Sequence, residues 1–252
     1  MGVITLEYMK KGYDICKTNN YFGNLQNIYR RVPETTCNCC GKCCSENPGG
    51  SFVEFLNYFN TFKIKEDKKI IVENVIRNNL TSLVQQNDCL FLKNDKCSIY
   101  NERPLSCRIF GLESEYNFEK NYIGISNGNK NLEYLFKKKY GIDIISNTKL
   151  EYCKNVKQIK KRIFNDTDVN NLLLDLVKTE ARFHKRGFPL NKSFDSYEAY
   201  ISYLVVTELN MEFMEWGDLR VLVYKQIKES GISVDLEKFI EKIKKYDFEF
   251  LK

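Results

Sequence analysis

The spacing of apolar residues predicts helices over most of the second half of the chain. These helices cover residues 167–186, 195–216, 219–229 and 234–248. Gly187 is predicted to end the first helix, because a glycine followed by Pro189 stops a helix on physical grounds. The second has the clearest apolar face, and Asp195 with Glu198 resembles a capping box at its start. We interpret these faces as packing surfaces without chemistry of their own.

The first half of the chain predicts shorter elements. Residues 1–36 carry few signals of order, and residues 52–62 predict a short buried element. From Glu66 to Gln86 the apolar residues recur at helical spacing, which predicts a longer helix. Residues 124–128, with a glycine at each end, are predicted to form a turn rather than a nucleotide-binding loop.

One β-hairpin is predicted in this half. Two short apolar runs begin at Cys89 and Cys97, and the polar residues 94–96 lie between them. Such a pattern is typical of two strands joined by a turn. Since each run begins with a cysteine, both thiols are expected at one end of the hairpin. The predicted fold class is therefore mainly α with a small β-hairpin.

The organisation follows from a change in composition along the chain. We predict an N-terminal segment at residues 1–36, a cysteine-cluster metal-binding domain at residues 37–130 and a helical region at residues 131–252. The cysteine domain is expected to pack on the helical region. The boundary is soft, and a single domain is the alternative.

The densest cluster of potential metal ligands consists of five cysteines within eight residues: Cys37, Cys39, Cys40, Cys43 and Cys44. Three more follow: Cys89, Cys97 and Cys107. Crowded thiolates repel one another unless a cation holds them, so the pattern predicts a bound metal or an iron–sulfur cluster. Cys37 and Cys40 followed by Gly41 match a zinc knuckle, while Cys37, Cys40 and Cys43 match the C-x-x-C-x-x-C spacing of a 4Fe–4S cluster. The spacing does not separate zinc from iron, and either Cys39 or Cys40 can be the ligand.

Basic residues adjoin the predicted ligands. Lys42, Arg103 and Arg108 each lie within a few residues of a cysteine. One interpretation is ordinary surface charge. The other is that they donate hydrogen bonds to sulfur and stabilise an anionic metal site.

Composition excludes several other classes of protein. The single histidine, His184, rules out metal sites that need two or three histidines from this chain, and it is expected at a helix C-terminus. The chain shows no phosphate-binding motif, no secretory signal and no apolar run that would span a bilayer, so we expect no nucleotide, no membrane and a reducing cytoplasm. Cys16 is expected to be an ordinary buried or free thiol.

The ordered motifs CNCCGKCC, CLFL and CSIYNERPLSCR resemble the CxxCxxCC (YkgJ-type) cysteine-cluster family over about residues 37–112. The resemblance implies zinc or iron chelation, and it implies no agreed reaction. It assigns the conserved cysteines to Cys37, Cys40, Cys43, Cys44, Cys89, Cys97 and Cys107. Cys153 is either a last family cysteine or a bystander. Two departures are Leu90, where the family often has proline, and the extra thiol of Cys39.

Three functions remain open at this point. The first is a metal-binding protein that holds zinc or iron, possibly as an iron–sulfur cluster, and whose helical half binds a protein or peptide partner. The second is an iron-dependent redox enzyme or electron carrier that acts on a peptide or protein. The third is a zinc-knuckle nucleic-acid binder, which only the net charge of +6 and the many aromatic residues favour.

Overall fold

The computed structural model describes residues 4–37, 41–45, 47, 49–145, 150–159, 164–186 and 194–252. Its α-helices are α1 (Leu6–Thr18), α2 (Tyr21–Tyr29), α3 (Phe52–Phe62), α4 (Lys68–Thr81), α5 (Leu105–Ile109), α6 (Glu115–Tyr140), α7 (Asp166–His184), α8 (Tyr197–Glu208), α9 (Phe213–Ser230) and α10 (Val234–Lys245). Short 3-10 turns cover Lys42–Cys44 and Glu249–Leu251. The predicted fold class, mainly α with a small hairpin, is confirmed.

Four short strands form two antiparallel pairs in the described part of the chain. They are β1 (Gly49–Ser51), β2 (Leu92–Lys93), β3 (Lys96–Cys97) and β4 (Phe194–Ser196). In the pair β1–β4, Gly50 lies opposite Asp195, which ties the segment after the first cysteine run to the start of α8. The pair β2–β3 is the predicted hairpin.

The hairpin is shorter than the sequence predicted. Leu92 pairs with Cys97, and the turn residues Asn94 and Asp95 both have positive φ, 49° and 59°. Two such residues are what a two-residue hairpin loop requires. Cys89 lies ahead of β2 instead of within it, and Cys97 ends β3 instead of beginning it. The prediction that each strand begins with a cysteine is therefore wrong.

The helices differ from the predicted ones in two further places. The predicted helix over residues 195–216 is two helices, because Asn210 adopts a left-handed conformation (φ 52°) that ends the α8 segment. Ser196 caps α8 by accepting from the backbone N–H of Ala199 at 3.0 Å, while Asp195 lies in β4, so the predicted Asp195 cap is wrong. Gly217 lies inside α9.

Helix α6 covers the predicted turn at residues 124–128. Ser114 caps its first turn by accepting from the backbone N–H of Asn117 at 3.2 Å, and Gly141 ends it with φ +70°. A helix with firm caps tolerates interior glycines at a cost of about 1 kcal/mol each. The N-terminal residues also gain order that the sequence did not predict, since α1 and α2 form there; Thr5 caps α1.

An aromatic core holds the helices together. Phe55 stacks on Tyr200 with ring centroids 4.7 Å apart, and Tyr58 stacks on Tyr197 at 5.0 Å. All four rings are buried. The same core extends from Ile4 to Leu251, so α3 of the first half packs on α8 of the second. The predicted boundary near residue 130 stays a prediction. Among the described helices, none is long and apolar enough to cross a bilayer.

Candidate metal centre

Six cysteines line one cavity of about 60 Å³. They are Cys37, Cys43, Cys44, Cys97, Cys107 and Cys153. The cysteines come from the first cysteine run, the hairpin, α5 and the segment of residues 150–159. A cavity of this size exceeds the volume of one water, about 10–15 Å³ on the same measure. Segments far apart in sequence therefore converge on a space that suits a metal ion or a small cluster.

The 3-10 turn Lys42–Cys44 sets the positions of Cys43 and Cys44. Gly41 precedes it with φ +72°, and the backbone N–H of Cys44 donates to the Gly41 carbonyl at 2.8 Å. The backbone N–H of Cys89 then donates to the Cys44 carbonyl at 2.7 Å. This bond ties the first cysteine run to the segment before the hairpin, and the Cys89 thiol is within hydrogen-bonding reach of the Cys44 thiol.

The surroundings raise the pKa of four of these thiols, those of Cys43, Cys44, Cys97 and Cys107. A hydrogen bond to Cys44, together with burial, raises the pKa of the Cys43 thiol. The pKa of Cys44 rises to about 12: a hydrogen bond from Cys43 lowers it, but a bond to Cys89 and burial outweigh that effect. Burial raises the pKa of Cys97 and of Cys107. A metal that binds these thiols as thiolates must therefore displace protons.

Arg103 supplies positive charge at the cavity. Its guanidinium lies 3.8 Å from the centroid of the Tyr100 ring. Its charge opposes, without cancelling, the rise in pKa that the hydrogen bond to Cys44 causes at Cys43 and that burial causes at Cys97 and Cys107. Its Nε atom is buried without a hydrogen-bond partner among the described residues. A buried N–H beside a group of thiols fits an anionic centre, in which sulfur accepts that hydrogen bond.

Arg108 acts on the backbone. Its guanidinium lies 3.9 Å from the centroid of the Tyr29 ring, and its Nε donates to the Arg103 carbonyl at 2.9 Å. A second guanidinium nitrogen donates to the Asn101 carbonyl. Arg108 thus braces the loop that presents Arg103 to the cavity. The third predicted basic residue, Lys42, lies in a described turn, but its side chain is outside the described part.

Glu54 supports the site from the core, and the sequence analysis missed it. Its carboxylate is 1% exposed. Oε1 accepts from the Tyr29 hydroxyl at 2.8 Å and from the backbone N–H of Leu105 at 2.7 Å, while Oε2 accepts from the backbone N–H of Ser51 at 2.8 Å. Leu105 begins α5, which carries Cys107. The sequence does carry a signal for Glu54, because Ser51 and Glu54 have the spacing of a capping box ahead of an apolar run.

Cys153 reaches the cavity because a glycine leaves room for it. Gly111 has φ +78°, and a Cβ there would lie 3.0 Å from the Cβ of Cys153 and 3.2 Å from its carbonyl oxygen. Any larger residue would press on the segment that carries Cys153. The sequence left Cys153 open between ligand and bystander, and the structure brings its side chain to the cavity.

The remaining predicted residues lie apart from the cavity or outside the described part. Cys39 and Cys40 lie outside the described residues. Cys89 is buried beside Cys44 and does not line the cavity. Within the described ranges, no three histidine, cysteine or carboxylate groups already have an arrangement that would hold one metal ion. The described cysteines therefore share a cavity without being arranged as the ligands of one metal ion.

Cys16 and His184 lie elsewhere, as expected. Cys16 is a buried free thiol of the main core. His184 is the last residue of α7, where its Nε2 lies 3.0 Å from Oε1 of Glu180.

The fold and the cavity define a mainly helical protein with a thiol-lined candidate metal centre. Residues 36–127 match the family CxxCxxCC, whose description is "Putative zinc- or iron-chelating domain". The resemblance seen in the cysteine motifs is thereby confirmed, and the match supports metal binding in general. Cys153 lies beyond the matched residues. No curated protein and no solved structure matches the chain.

Proposed function

We propose that this protein binds zinc or iron through a cysteine thiolate centre. The observation that supports the proposal is that six cysteines from four chain segments line one cavity. The family resemblance adds Cys40, which lies outside the described residues, and Cys89, which lies beside Cys44 and not on the cavity, to the proposed set of ligands. Soft thiolate ligands select zinc or iron–sulfur clusters over hard cations such as magnesium and calcium.

The number of thiols favours more than one simple zinc site. A structural zinc ion takes four ligands, whereas six described thiols line the cavity. A pair of ions, or a cluster with a separate ion, would use the cysteines beyond the four that one zinc ion takes. When bound, the metal supplies either a structural crosslink or a redox centre. The chain's own contribution is to gather the thiols and to offset their negative charge with Arg103.

A second candidate is an iron-dependent redox enzyme or electron carrier that acts on a peptide or protein partner. Two observations favour it. Cys43 is exposed, and Cys153 also borders a wider groove outside the cavity. A structural zinc site is closed, while a reactive centre keeps a side open. The eight described cysteines are free, which is in keeping with the proposal of a reducing, cytoplasmic compartment.

Anaerobic purification separates the two candidates. Zinc, iron and acid-labile sulfide are measured per chain, together with the visible absorption spectrum. A coloured protein with iron and sulfide supports the redox candidate, and a colourless protein with stoichiometric zinc supports a structural site. Native protein that contains neither metal would contradict the whole proposal.

Cysteine variants then test the site itself. Cys97→Ser and Cys107→Ser are expected to lower the metal content, because each removes a thiol that borders the cavity. Cys16→Ala is the matched control, since it removes a buried thiol of the main core. If Cys16→Ala lost as much metal as Cys97→Ser, the proposed location of the centre would be wrong.

A further inference from the structure

A groove of about 660 Å³ lies beside the cysteine cavity, between the start of α6 and residues 150–155. Cys153 lines both spaces, so the groove and the cavity meet at this residue. None of the described side chains of α6 is buried. On the face that borders the groove, Phe118 and Tyr122 are half-buried and belong to none of the hydrophobic core clusters of the described residues.

Aromatic rings form one wall of the groove. Phe118 stacks with Tyr122 at 6.3 Å between centroids, and it contacts Tyr152 at 5.6 Å. Phe118 also meets the edge of Phe110 at 5.9 Å. Because Phe110 lines the cysteine cavity, the rings continue from the groove into the candidate metal centre.

The charges around this wall are mainly negative. Three carboxylates line the groove, those of Glu115, Glu119 and Glu151, and Lys154 is the one cation among the described lining residues. These four groups leave a net charge of −2 at neutral pH. The Lys154 ammonium lies 3.0 Å from Glu115. An alkyl ammonium of the chain itself thus already pairs with one carboxylate of the groove.

We propose that the groove binds an aliphatic diamine and brings one end of it to the metal centre at Cys153. A protonated amine suits both features of the groove, since carboxylates pair with it and aromatic faces attract it. Two ammonium groups match the net charge of the lining residues, and the alkyl chain between them suits the rings. The metal's part in this inference rests on the proposed function above, whereas the binding itself does not.

Calorimetry on the protein as purified, with its metal, tests the inference. The probes are diaminopentane with an amine at each end, aminopentane and pentanol. We expect the diamine to bind most tightly, the alcohol most weakly, and the diamine affinity to fall as salt is raised. Equal affinity for diaminopentane and aminopentane would overturn the proposal of a dication, and no binding of either amine would overturn the site.

Variants of the groove give the second arm. Glu119 and Glu151 are exposed, so replacing both with glutamine should leave the fold intact. The double variant should bind the diamine about tenfold more weakly, because each exposed pair of a carboxylate and an ammonium contributes about two- to fivefold to the affinity. Tyr122→Leu keeps an apolar side chain but removes the ring face, so it is expected to lower the affinity for the diamine about two- to fivefold. The charge-matched control replaces two exposed carboxylates away from the groove, Glu66→Gln with Glu229→Gln, and should bind like the wild type.

Metal content is measured on the same samples. Metal-loaded protein that binds no diamine would overturn this inference alone. Diamine binding by protein that contains no metal would contradict the proposed function and leave the groove as a ligand site. Unchanged affinity in the Glu119→Gln, Glu151→Gln double variant would refute the assignment of the ligand to this groove.

Discussion

Replacing Gly111 with alanine should displace Cys153 from the metal centre. Gly111 has φ +78°, and the added Cβ would meet Cβ of Cys153 at 3.0 Å and Cβ of Val156 at 3.2 Å. The left-handed conformation costs an alanine about 1–2 kcal/mol. Crowding against two packed groups adds about 1–3 kcal/mol. We therefore expect Gly111→Ala to lower the free energy of unfolding by about 2–5 kcal/mol.

Gly231 provides a control with the same backbone angle. It also has φ +78°, and a Cβ there would meet no described atom within 4 Å. Gly231→Ala should therefore carry only the conformational cost of about 1–2 kcal/mol. The difference between the two variants isolates the contact with the Cys153 segment.

Urea unfolding and metal analysis measure the two effects separately. The free energy of unfolding is obtained for both variants under anaerobic conditions, and the metal content is measured on the folded samples. Gly111→Ala should lose part of its metal, while Gly231→Ala should retain it. If both variants lost the same stability and kept the same metal, Cys153 would not depend on Gly111 and the reasoning would be refuted.

Two further predictions concern buried carboxylates. Burial raises the pKa of Glu198 to about 7 against an ordinary 4.5, although Arg220 lowers it, so the folded state binds the proton more tightly than the unfolded one. The contribution of the protonated Glu198 to the free energy of unfolding is therefore fully present below about pH 4.5 and is lost as the pH rises through 7. Glu198→Gln should change the free energy of unfolding little at about pH 5 and should raise it by up to about 3 kcal/mol at about pH 8. Urea unfolding at both pH values checks this, and a gain that does not depend on pH would contradict it. Glu54→Gln leaves one acceptor oxygen for three donors, so it should lower the free energy of unfolding by about 1–3 kcal/mol. It should also reduce the metal content, because Glu54 holds the start of α5, which carries Cys107. The exposed Glu66→Gln is its control, and equal metal retention in both would count against the supporting role of Glu54.

The cysteine pattern predicted much of the site because its signals are local. Spacing within the first run, and the polar turn between two apolar runs, depend only on neighbouring residues. The spacing placed Cys43 in the site, and the family resemblance added Cys44, Cys97 and Cys107; all four line the cavity, whereas Cys89, which the resemblance also assigned, does not. The ligand assignment itself stays a prediction.

The positions of Cys153 and Glu54 depend on contacts between distant segments. Cys153 meets the cavity only because Gly111, more than forty residues earlier, leaves space for it. Glu54 joins Tyr29 to Leu105, and no periodicity in the sequence connects these three residues. Sequence patterns report local preference, whereas such contacts arise from tertiary packing.

The errors in the predicted helices have local causes. Glycines at residues 124 and 128 suggested a turn, but the capped ends of α6 outweigh their cost. Apolar spacing over residues 195–216 continued through a break that a single left-handed residue, Asn210, imposes. Apolar periodicity does not detect one residue of this kind, because the side chains on either side still face the core.

X-ray absorption at the metal edge of native protein, purified without oxygen, tests the central claim most directly. The account predicts zinc or iron in a shell of sulfur ligands at about 2.3 Å. A shell of oxygen and nitrogen alone, or native protein without either metal, would contradict it.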